Sequence, residues 1–258
     1  AALFPGVPAG HAGFFELKSA LWEKLTAALE QFLTELEQYS DAEKAHIECQ
    51  KCWLNVRSMS GQNAATVAVP LADRLLQIAE KFDLTPLCMD IALYLRIRYC
   101  LHEQNCEQCT GADQKYQHFR QMYDAEFQAE KYYTDVMSLT VNNFHSPDVV
   151  LSQAKESAGA LLSLLRTFQS PKLHLYGSLV ELMQYTTARD YTAAMDVCEK
   201  AIRFFQDLPY RARDPLQVFY YQRLICSVHL RQFDTGKQSA LACLDLAGEE
   251  NFNRLKIK

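Results

Sequence analysis

Apolar residues recur at steps of three and four along most of the chain, the spacing that places side chains on one face of an α-helix. The first such run predicts a long helix from Phe14 to about Tyr39. The second begins at the capping sequence Ser40-Asp41-Ala42-Glu43 and ends near Arg57, and a third predicts a helix over 65–82. Residues 1–13 contain two Pro and three Gly without any period, so we expect an irregular N-terminal arm there.

Four later helix starts share one signature, a capping side chain followed by proline at the first helical position. They are Thr85-Pro86, Ser146-Pro147, Ser170-Pro171 and Asp214-Pro215. Further starts are expected near Ala112, Asp190 and Phe233. The pattern therefore predicts about ten helices, which pair in chain order as five hairpins over 14–58, 63–104, 112–168, 172–206 and 214–247.

Two of these hairpins share a pattern of aromatic and small residues at an offset of 42 positions. An aromatic residue begins the second helix of each, Tyr191 in one and Phe233 in the other, and small residues follow three, seven and ten positions later. The small residues are Ala194, Cys198 and Ala201 in the first copy and Gly236, Ala240 and Cys243 in the second. A weaker copy of the stripe is present at Leu151, Ala154, Ala158 and Leu161. Such a stripe lets a neighbouring helix approach closely, which is typical of stacked helical hairpins.

This pattern resembles the tetratricopeptide repeat, whose second helix begins with a Gly-Asp-Tyr-like turn and carries small residues at these offsets. Tyr185 also stands where the first helix of the family usually has a tyrosine. The copies depart from the family where Ser178 and Tyr220 replace a typical tryptophan, and where Leu182 and Leu224 replace a small residue. They also lie 42 residues apart instead of about 34, an excess that matches the polar segment 207–214.

The resemblance implies an all-α fold, a right-handed α-α superhelix in which 112–247 form tetratricopeptide-like hairpins. Residues 14–258 would form a single helical-repeat domain after the arm. The helices of 14–104 carry no small-residue stripe and fit two arrangements, further hairpins of the array or a less regular bundle that caps it. The segment after the last hairpin begins another helical pattern and stops, so we expect a longer chain, another chain or self-association to cover the apolar face of 214–247.

In the family, the first helix of each hairpin lines a concave surface. On this chain the resemblance assigns that surface to Tyr176, Leu179, Met183 and Thr186 in one copy and to Val218, Tyr221, Ile225 and Val228 in the next. No Lys or Arg occupies these positions, which favours an apolar peptide or amphipathic helix of a protein partner over a carboxylate held by a basic clamp. The predicted function is a non-catalytic scaffold for protein–protein interaction. The same register predicts that Tyr220 packs between helices while Tyr221 points into the groove.

Composition and charge exclude several other classes. Nine Gly and eight Pro are few turn residues for 258 positions, as long helices require. A formal net charge of −5 argues against a nucleic-acid surface, and no apolar run of about 18 residues is present to span a membrane. The N-terminus also lacks the charged-then-apolar order of a signal peptide. Because the nine cysteines fall mostly within apolar helical patterns, we expect a reducing compartment and a cytoplasmic protein.

The sequence contains no phosphate-binding glycine loop, no His-Glu-x-x-His and no Gly-x-Ser-x-Gly, so neither a cofactor nor a catalytic site is predicted. Two Cys-x-x-Cys pairs, Cys49 with Cys52 and Cys106 with Cys109, are the candidates for metal chemistry. On facing helices their thiolates would form a tetrahedral zinc site. The alternative places the first pair on an apolar core stripe and the second in a polar loop, with no stoichiometric zinc and the thiols free under reduction.

Two rival functions follow from these observations. One is an all-α metalloprotein or enzyme built on the cysteine pairs. The other is a helical repeat region that controls an output domain of a larger signalling protein.

Overall fold

The computed structural model describes residues 41–61, 65–101, 105–141 and 146–246, together with Leu21 and Lys24. Contacts between Cα atoms divide the chain into two compact units, Ala1–Tyr39 and Ser40–Lys258. Of the first unit, Leu21 and Lys24 are helical and exposed. The arm predicted over 1–13, most of the first predicted helix and the segment after 246 lie outside the described residues.

The described part of the second unit is built from α-helices and contains no strand. The helices are α1 (Asp41–Gly61), α2 (Ala65–Lys81), α3 (Thr85–Leu101), α4 (Cys106–Val141), α5 (Pro147–Thr167), α6 (Pro171–Thr187), α7 (Tyr191–Gln206), α8 (Arg213–His229) and α9 (Phe233–Leu246). Among these residues, no helix has both the length and the apolar character that crossing a membrane requires. The predicted all-α class is confirmed, whereas the right-handed superhelical winding stays a prediction.

Local sequence signals mark several helix starts, through a proline in the first turn or a capping side chain. Helices α5 and α6 begin at Pro147 and Pro171 as predicted, and α7 and α9 begin at Tyr191 and Phe233. At the start of α7, the Asp190 carboxylate accepts a hydrogen bond of 3.0 Å from the Ala193 amide.

Three predicted helix bounds are wrong. Helix α1 continues four residues past Arg57, to Gly61, and α8 begins at Arg213, ahead of Pro215. Helix α4 begins at Cys106 and not near Ala112, because Asn105 and Gln108 cap it: the Asn105 side-chain oxygen accepts a hydrogen bond of 3.1 Å from the Gln108 amide.

Three helix–helix turns have the same backbone geometry. Asp83, Arg189 and Arg231 each adopt a positive φ, of 55°, 59° and 58° respectively. In each turn the next residue donates a 2.9 Å hydrogen bond to the carbonyl five positions earlier, as from Asp190 to Tyr185. This is the Schellman arrangement that ends a helix with one left-handed residue. Two of the turns are the predicted repeats, and the third joins α2 to α3.

The α2–α3 turn has the geometry of the two repeats, although the helices of 14–104 lack the complete small-residue stripe. Helix α3 begins two residues after Asp83, as α7 begins two residues after Arg189. Three and seven positions into α3 stand the small residues Cys88 and Ala92, but the tenth position is Leu95, and all three are buried. With Thr85 at its start and Leu95 at the tenth position, α3 matches the repeat only in part.

Helix α4 is the longest of the described elements, with 36 residues and therefore a length of about 54 Å. It packs against α3, α5 and α6. Ala112 and Phe119 in its first half belong to the apolar cluster of α1–α3. Ala125 and Ala129 in its second half pack with residues of α5 and α6. One helix therefore contributes to the cores on both sides of it.

A buried carboxyl group joins three of these helices. Glu126 of α4 is 3% exposed, and its Oε1 atom accepts hydrogen bonds from Thr85 Oγ1 at 2.8 Å and from Ser170 Oγ at 2.6 Å. Thr85 begins α3 and Ser170 immediately precedes α6. Burial raises the pKa of Glu126, although the two hydroxyls and the charge of Lys172 oppose that shift. The starts of α3 and α6 are thus held against the middle of α4.

The polar segment between α7 and α8 contacts the turn between α2 and α3. Tyr210 donates a hydrogen bond of 2.9 Å to Asp83 Oδ2, and its ring lies 5.6 Å from that of Phe82. Burial raises the pKa of both Tyr210 and Asp83. The residues that lengthen the repeat beyond the family spacing therefore link two distant parts of the chain.

We predict that Glu126→Gln reduces the pH dependence of stability. The folded state binds the Glu126 proton more tightly than the unfolded chain does, because the folded pKa is raised above its ordinary value of 4.5. The wild-type protein should therefore lose stability as pH rises from 4.5 through the raised pKa, and the neutral amide should not. Urea unfolding at several pH values between 4.5 and 7.5 measures this, and the advantage of the variant should grow with pH.

Asp124→Asn is the matched control, since Asp124 is exposed on the same helix. It removes one negative charge without changing the buried cluster. The prediction would be contradicted if the unfolding free energy of Glu126→Gln exceeded that of the wild type by more at low pH than at high pH. That result would show that the hydroxyl hydrogen bonds outweigh burial.

Candidate partner-binding surface

Helix α8 presents one packed side and one open side. Its packed side contains Phe219, which is fully buried with its ring 5.8 Å from that of Phe205 in α7. On the open side, Val218 is 38%, Tyr221 42% and Val228 55% exposed. Ile225 lies between them and is half-buried. Steps of three, four and three place these four apolar residues, here called the α8 stripe, on one face.

The adjacent residues Tyr220 and Tyr221 differ in environment. Tyr220 is half-buried against the apolar cluster of α7 and α8, and its hydroxyl accepts a hydrogen bond of 2.9 Å from Gln206 Nε2. Tyr221 points away by about 100° around the helix and is exposed. Tyr220 therefore contributes to packing, and Tyr221 is accessible to a partner.

The equivalent face of α6 is partly covered. Tyr176 is half-buried with its ring 5.4 Å from that of Tyr133 in α4, and Lys172 Nζ lies 5.9 Å from the Tyr176 ring centre. Burial raises the pKa of Tyr176, and the charge of Glu130 adds to the shift. Burial by itself would lower the pKa of Lys172. The 2.8 Å ion pair with Glu130 outweighs burial, and the net shift of the Lys172 pKa is upward.

The other α6 positions are also half-buried. Met183 packs on the cluster of α4 and α5 that contains Val136, and Leu179 packs on the cluster of α7 and α8. The Thr186 hydroxyl donates a hydrogen bond of 2.8 Å to the Leu182 carbonyl of its own helix. The α6 face therefore lies largely against the chain itself, whereas the α8 stripe is open.

The contact of α4 with α6 was not predicted. It lies in the second half of α4, where Glu126 accepts the hydrogen bond from Ser170 and the Tyr133 ring lies beside that of Tyr176. Its signal in the sequence is the length of α4, 36 residues against 21 in α5, which leaves part of α4 for a second neighbour.

A shallow cavity of about 280 Å³ lies between α5 and α6. Gly159 and Gly177 contribute to its lining, and Lys155, Glu181 and Tyr185 supply polar groups. A Cβ atom at Gly177 would lie 2.9 Å from Leu165 Cδ1, so this glycine permits the close approach of the two helices. The cavity was not predicted, although the Ala158-Gly159 pair marks the place in the sequence.

The structure does not bring the two cysteine pairs together as a metal site. Across the described ranges, no group of three or more His, Cys, Asp and Glu side chains is placed to hold a metal ion. Cys49 is buried and Cys52 exposed in α1, and Cys106 is exposed at the start of α4. Cys109 forms a disulfide with Cys100 at the end of α3, with the Cα atoms 5.1 Å apart.

One expectation for the cysteines is therefore wrong. Cys106 and Cys109 lie in a helix and not in a polar loop, because α4 begins earlier than predicted. That the thiols are free under reduction stays a prediction, and Cys100 and Cys109 are disulfide-bonded in this structure. The last turn of α3 and the first turn of α4 bring these two side chains together, and the spacing of cysteines within one helix does not reveal such a contact.

Comparisons of the chain with protein-family models, with curated proteins and with solved structures give no match. The likeness to the tetratricopeptide repeat therefore stays a resemblance, carried by the two copies 42 residues apart. Partner binding at the eight predicted groove positions likewise stays a prediction.

We predict that alanine substitutions at three successive positions of α8 have graded effects on stability. Phe219→Ala should cost about 3–5 kcal/mol of unfolding free energy, because a large buried side chain is removed. Tyr220→Ala should cost about 1–3 kcal/mol through lost packing, and Tyr221→Ala should stay within about 0.5 kcal/mol. Equilibrium unfolding in urea measures all three. Equal losses at Tyr220 and Tyr221 would mean that the chain itself covers the α8 stripe.

Proposed function

We propose that the protein is a non-catalytic, tetratricopeptide-like scaffold that binds an apolar or amphipathic segment of a protein partner along α8. The exposed α8 stripe carries this proposal. The opposite side of α8 is already packed, so the four apolar residues on its open side are not needed for the packing of α8 against its neighbours. Contiguous exposed apolar patches are typical of interaction surfaces.

The dimensions of the stripe favour a short extended segment or a helix as the bound element. Ten residues separate its ends, Val218 and Val228, which corresponds to about 15 Å along the axis. An amphipathic helix with apolar residues at steps of three and four would match the ridge made by Tyr221 and Ile225.

Two arginines in and just before α8 are already paired with acidic residues of the chain, which favours an apolar ligand over an acidic one. Arg223 lies 3.5 Å from Glu199, and Arg211 lies 3.3 Å from Asp245. These arginines already have acidic partners within the chain, so an acidic terminus would compete with existing ion pairs.

The repeated turns support the likeness to tetratricopeptide hairpins. Arg189 and Arg231 have nearly identical φ values at positions 42 residues apart. The α6–α7 and α8–α9 hairpins therefore have equivalent turns, and their first helices, α6 and α8, are equivalent. In a superhelix of such hairpins α8 would contribute to the concave side.

We predict that charge placed on the α8 stripe abolishes partner capture. The test compares tagged wild-type protein with the Tyr221→Asp/Val228→Asp double variant in capture from source lysate, with quantitative mass spectrometry. Proteins that bind the stripe should fall by at least about tenfold, since an aspartate cannot be buried against an apolar partner without a large desolvation cost. Circular dichroism should show unchanged helicity, because both residues are exposed.

The Leu54→Asp/Ile97→Asp double variant is the matched control, because these exposed apolar residues lie on α1 and α3. It should retain the captured proteins. Capture of the same proteins in the same amounts by the Tyr221→Asp/Val228→Asp variant would place the binding surface elsewhere and refute the proposal.

A further inference from the structure

Three cysteines lie where α3 ends and α4 begins. Cys100 in the last turn of α3 is disulfide-bonded to Cys109 in the first turn of α4, with the two Cα atoms 5.1 Å apart. Cys106 is the first residue of α4, carries a free thiol and is exposed to solvent. The junction therefore contains one disulfide and, three residues from one of its sulfurs, one accessible thiol.

Backbone hydrogen bonds fix the geometry of this junction. The Asn105 amide donates a hydrogen bond of 3.1 Å to the Tyr99 carbonyl near the end of α3, and the Cys109 amide donates one of 2.9 Å to the Asn105 carbonyl. The second bond joins residues four apart, as in an α-helix, so Cys106 and Cys109 occupy a regular first turn. A regular α-helix places Cα atoms that are three residues apart about 5 Å from each other.

Cys109 is thus placed within reach of two different disulfide partners. Disulfide-bonded cysteines have Cα atoms about 4–7 Å apart. The separation of 5.1 Å from Cys100 and that of about 5 Å from Cys106 both fall within this range. Because Cys100 and Cys109 are half-buried and Cys106 is exposed, pairing with Cys106 would bring the disulfide nearer to the solvent.

We propose that Cys100, Cys106 and Cys109 form a thiol–disulfide exchange site that reacts with small thiols through Cys106. In the exchange the disulfide moves from Cys100–Cys109 to Cys106–Cys109, at the exposed start of α4. A thiol of low molecular weight is the co-substrate. The proposal does not depend on the partner-binding function.

The exchange balances without an oxidant. The Cys106 thiolate attacks the Cys109 sulfur, the bond from Cys109 to Cys100 breaks, and Cys100 leaves as a thiolate that takes up the proton lost from Cys106. A small thiolate then attacks the Cys106 sulfur, the bond to Cys109 breaks, and Cys109 takes up a proton. A second small thiolate attacks the sulfur of the first and releases the Cys106 thiol. Two small thiols are thereby oxidised to a disulfide, and one protein disulfide is reduced to two thiols.

The other Cys-x-x-Cys pair has the same spacing without a disulfide beside it. Cys49 is buried and Cys52 exposed within α1, and both carry free thiols. Exchange has no starting bond at this pair, which makes it the matched control for the spacing.

The test uses the full chain, because Arg98 and Lys115 place all three cysteines of the junction on one tryptic peptide, 99–115. The protein is held in a buffer of reduced and oxidised glutathione. Free thiols are then alkylated under denaturing conditions below neutral pH, and the peptide is sequenced by tandem mass spectrometry. The disulfide-bonded peptide carries one alkyl group, at Cys106 when Cys100 is linked to Cys109 and at Cys100 when Cys106 is linked to Cys109.

We expect both forms of this peptide. The form alkylated at Cys100 should make up at least about a tenth of the disulfide-bonded peptide, because the two links differ little in Cα separation. Cys49 and Cys52 should both be alkylated in the same sample.

The rate of reduction gives a second readout. Cys106→Ser should slow the reduction of the Cys100–Cys109 disulfide by glutathione at least about fivefold, because glutathione must then attack a half-buried disulfide directly. Cys52→Ser, which removes an exposed cysteine of α1, should leave the rate unchanged. Both substitutions are at exposed positions, so circular dichroism should show the helicity of the wild type.

Peptide sequencing of the wild-type chain decides the proposal even where a variant fails to fold. An alkyl group at Cys106 in every disulfide-bonded peptide would overturn it, and so would equal rates of reduction for the wild type and Cys106→Ser.

Discussion

A buried carboxyl group constrains how the helices of this fold pack. Removing Glu126 from water is unfavourable unless donors replace the lost solvent, and the donors here are hydroxyls at the starts of two different helices. Thr85 and Ser170 must both reach the same oxygen, so α3 and α6 begin at the same level of α4. The α1–α3 helices and the α6–α9 helices are thereby placed on a common scaffold.

That placement decides which predicted surface is open. Helix α4 is long enough to contact both α3 and α6, and its second half packs on the α6 face where Tyr176 and Met183 lie. Of the described helices, α7 and α9 pack on α8, and they leave Tyr221 and Val228 exposed. The predicted binding faces of α6 and α8 therefore differ in solvent accessibility, because α6 lies beside the long helix α4.

Local sequence predicts most of the helix starts because capping is short-range chemistry. Ser146, Ser170 and Asp190 each precede a helix as predicted. The Asp190 side chain satisfies an amide of the first turn, whereas the proline after Ser146 and after Ser170 removes a free amide without a capping bond from the serine. The start of α4 was missed although Asn105 and Gln108 obey the same rule, because the polar residues around them resemble a loop. The all-α class and the repeat at an offset of 42 positions follow from the same kind of local pattern.

The sequence by itself determined the helical class, most helix starts and the equivalence of the α6–α7 and α8–α9 hairpins, because periodicity and capping act within one or two turns. Only the tertiary structure decided the rest. Cys109 pairs with Cys100, and Tyr210 reaches Asp83. Each of these contacts joins different helices or loops, and its geometry depends on how whole elements pack, which no spacing along a single helix records.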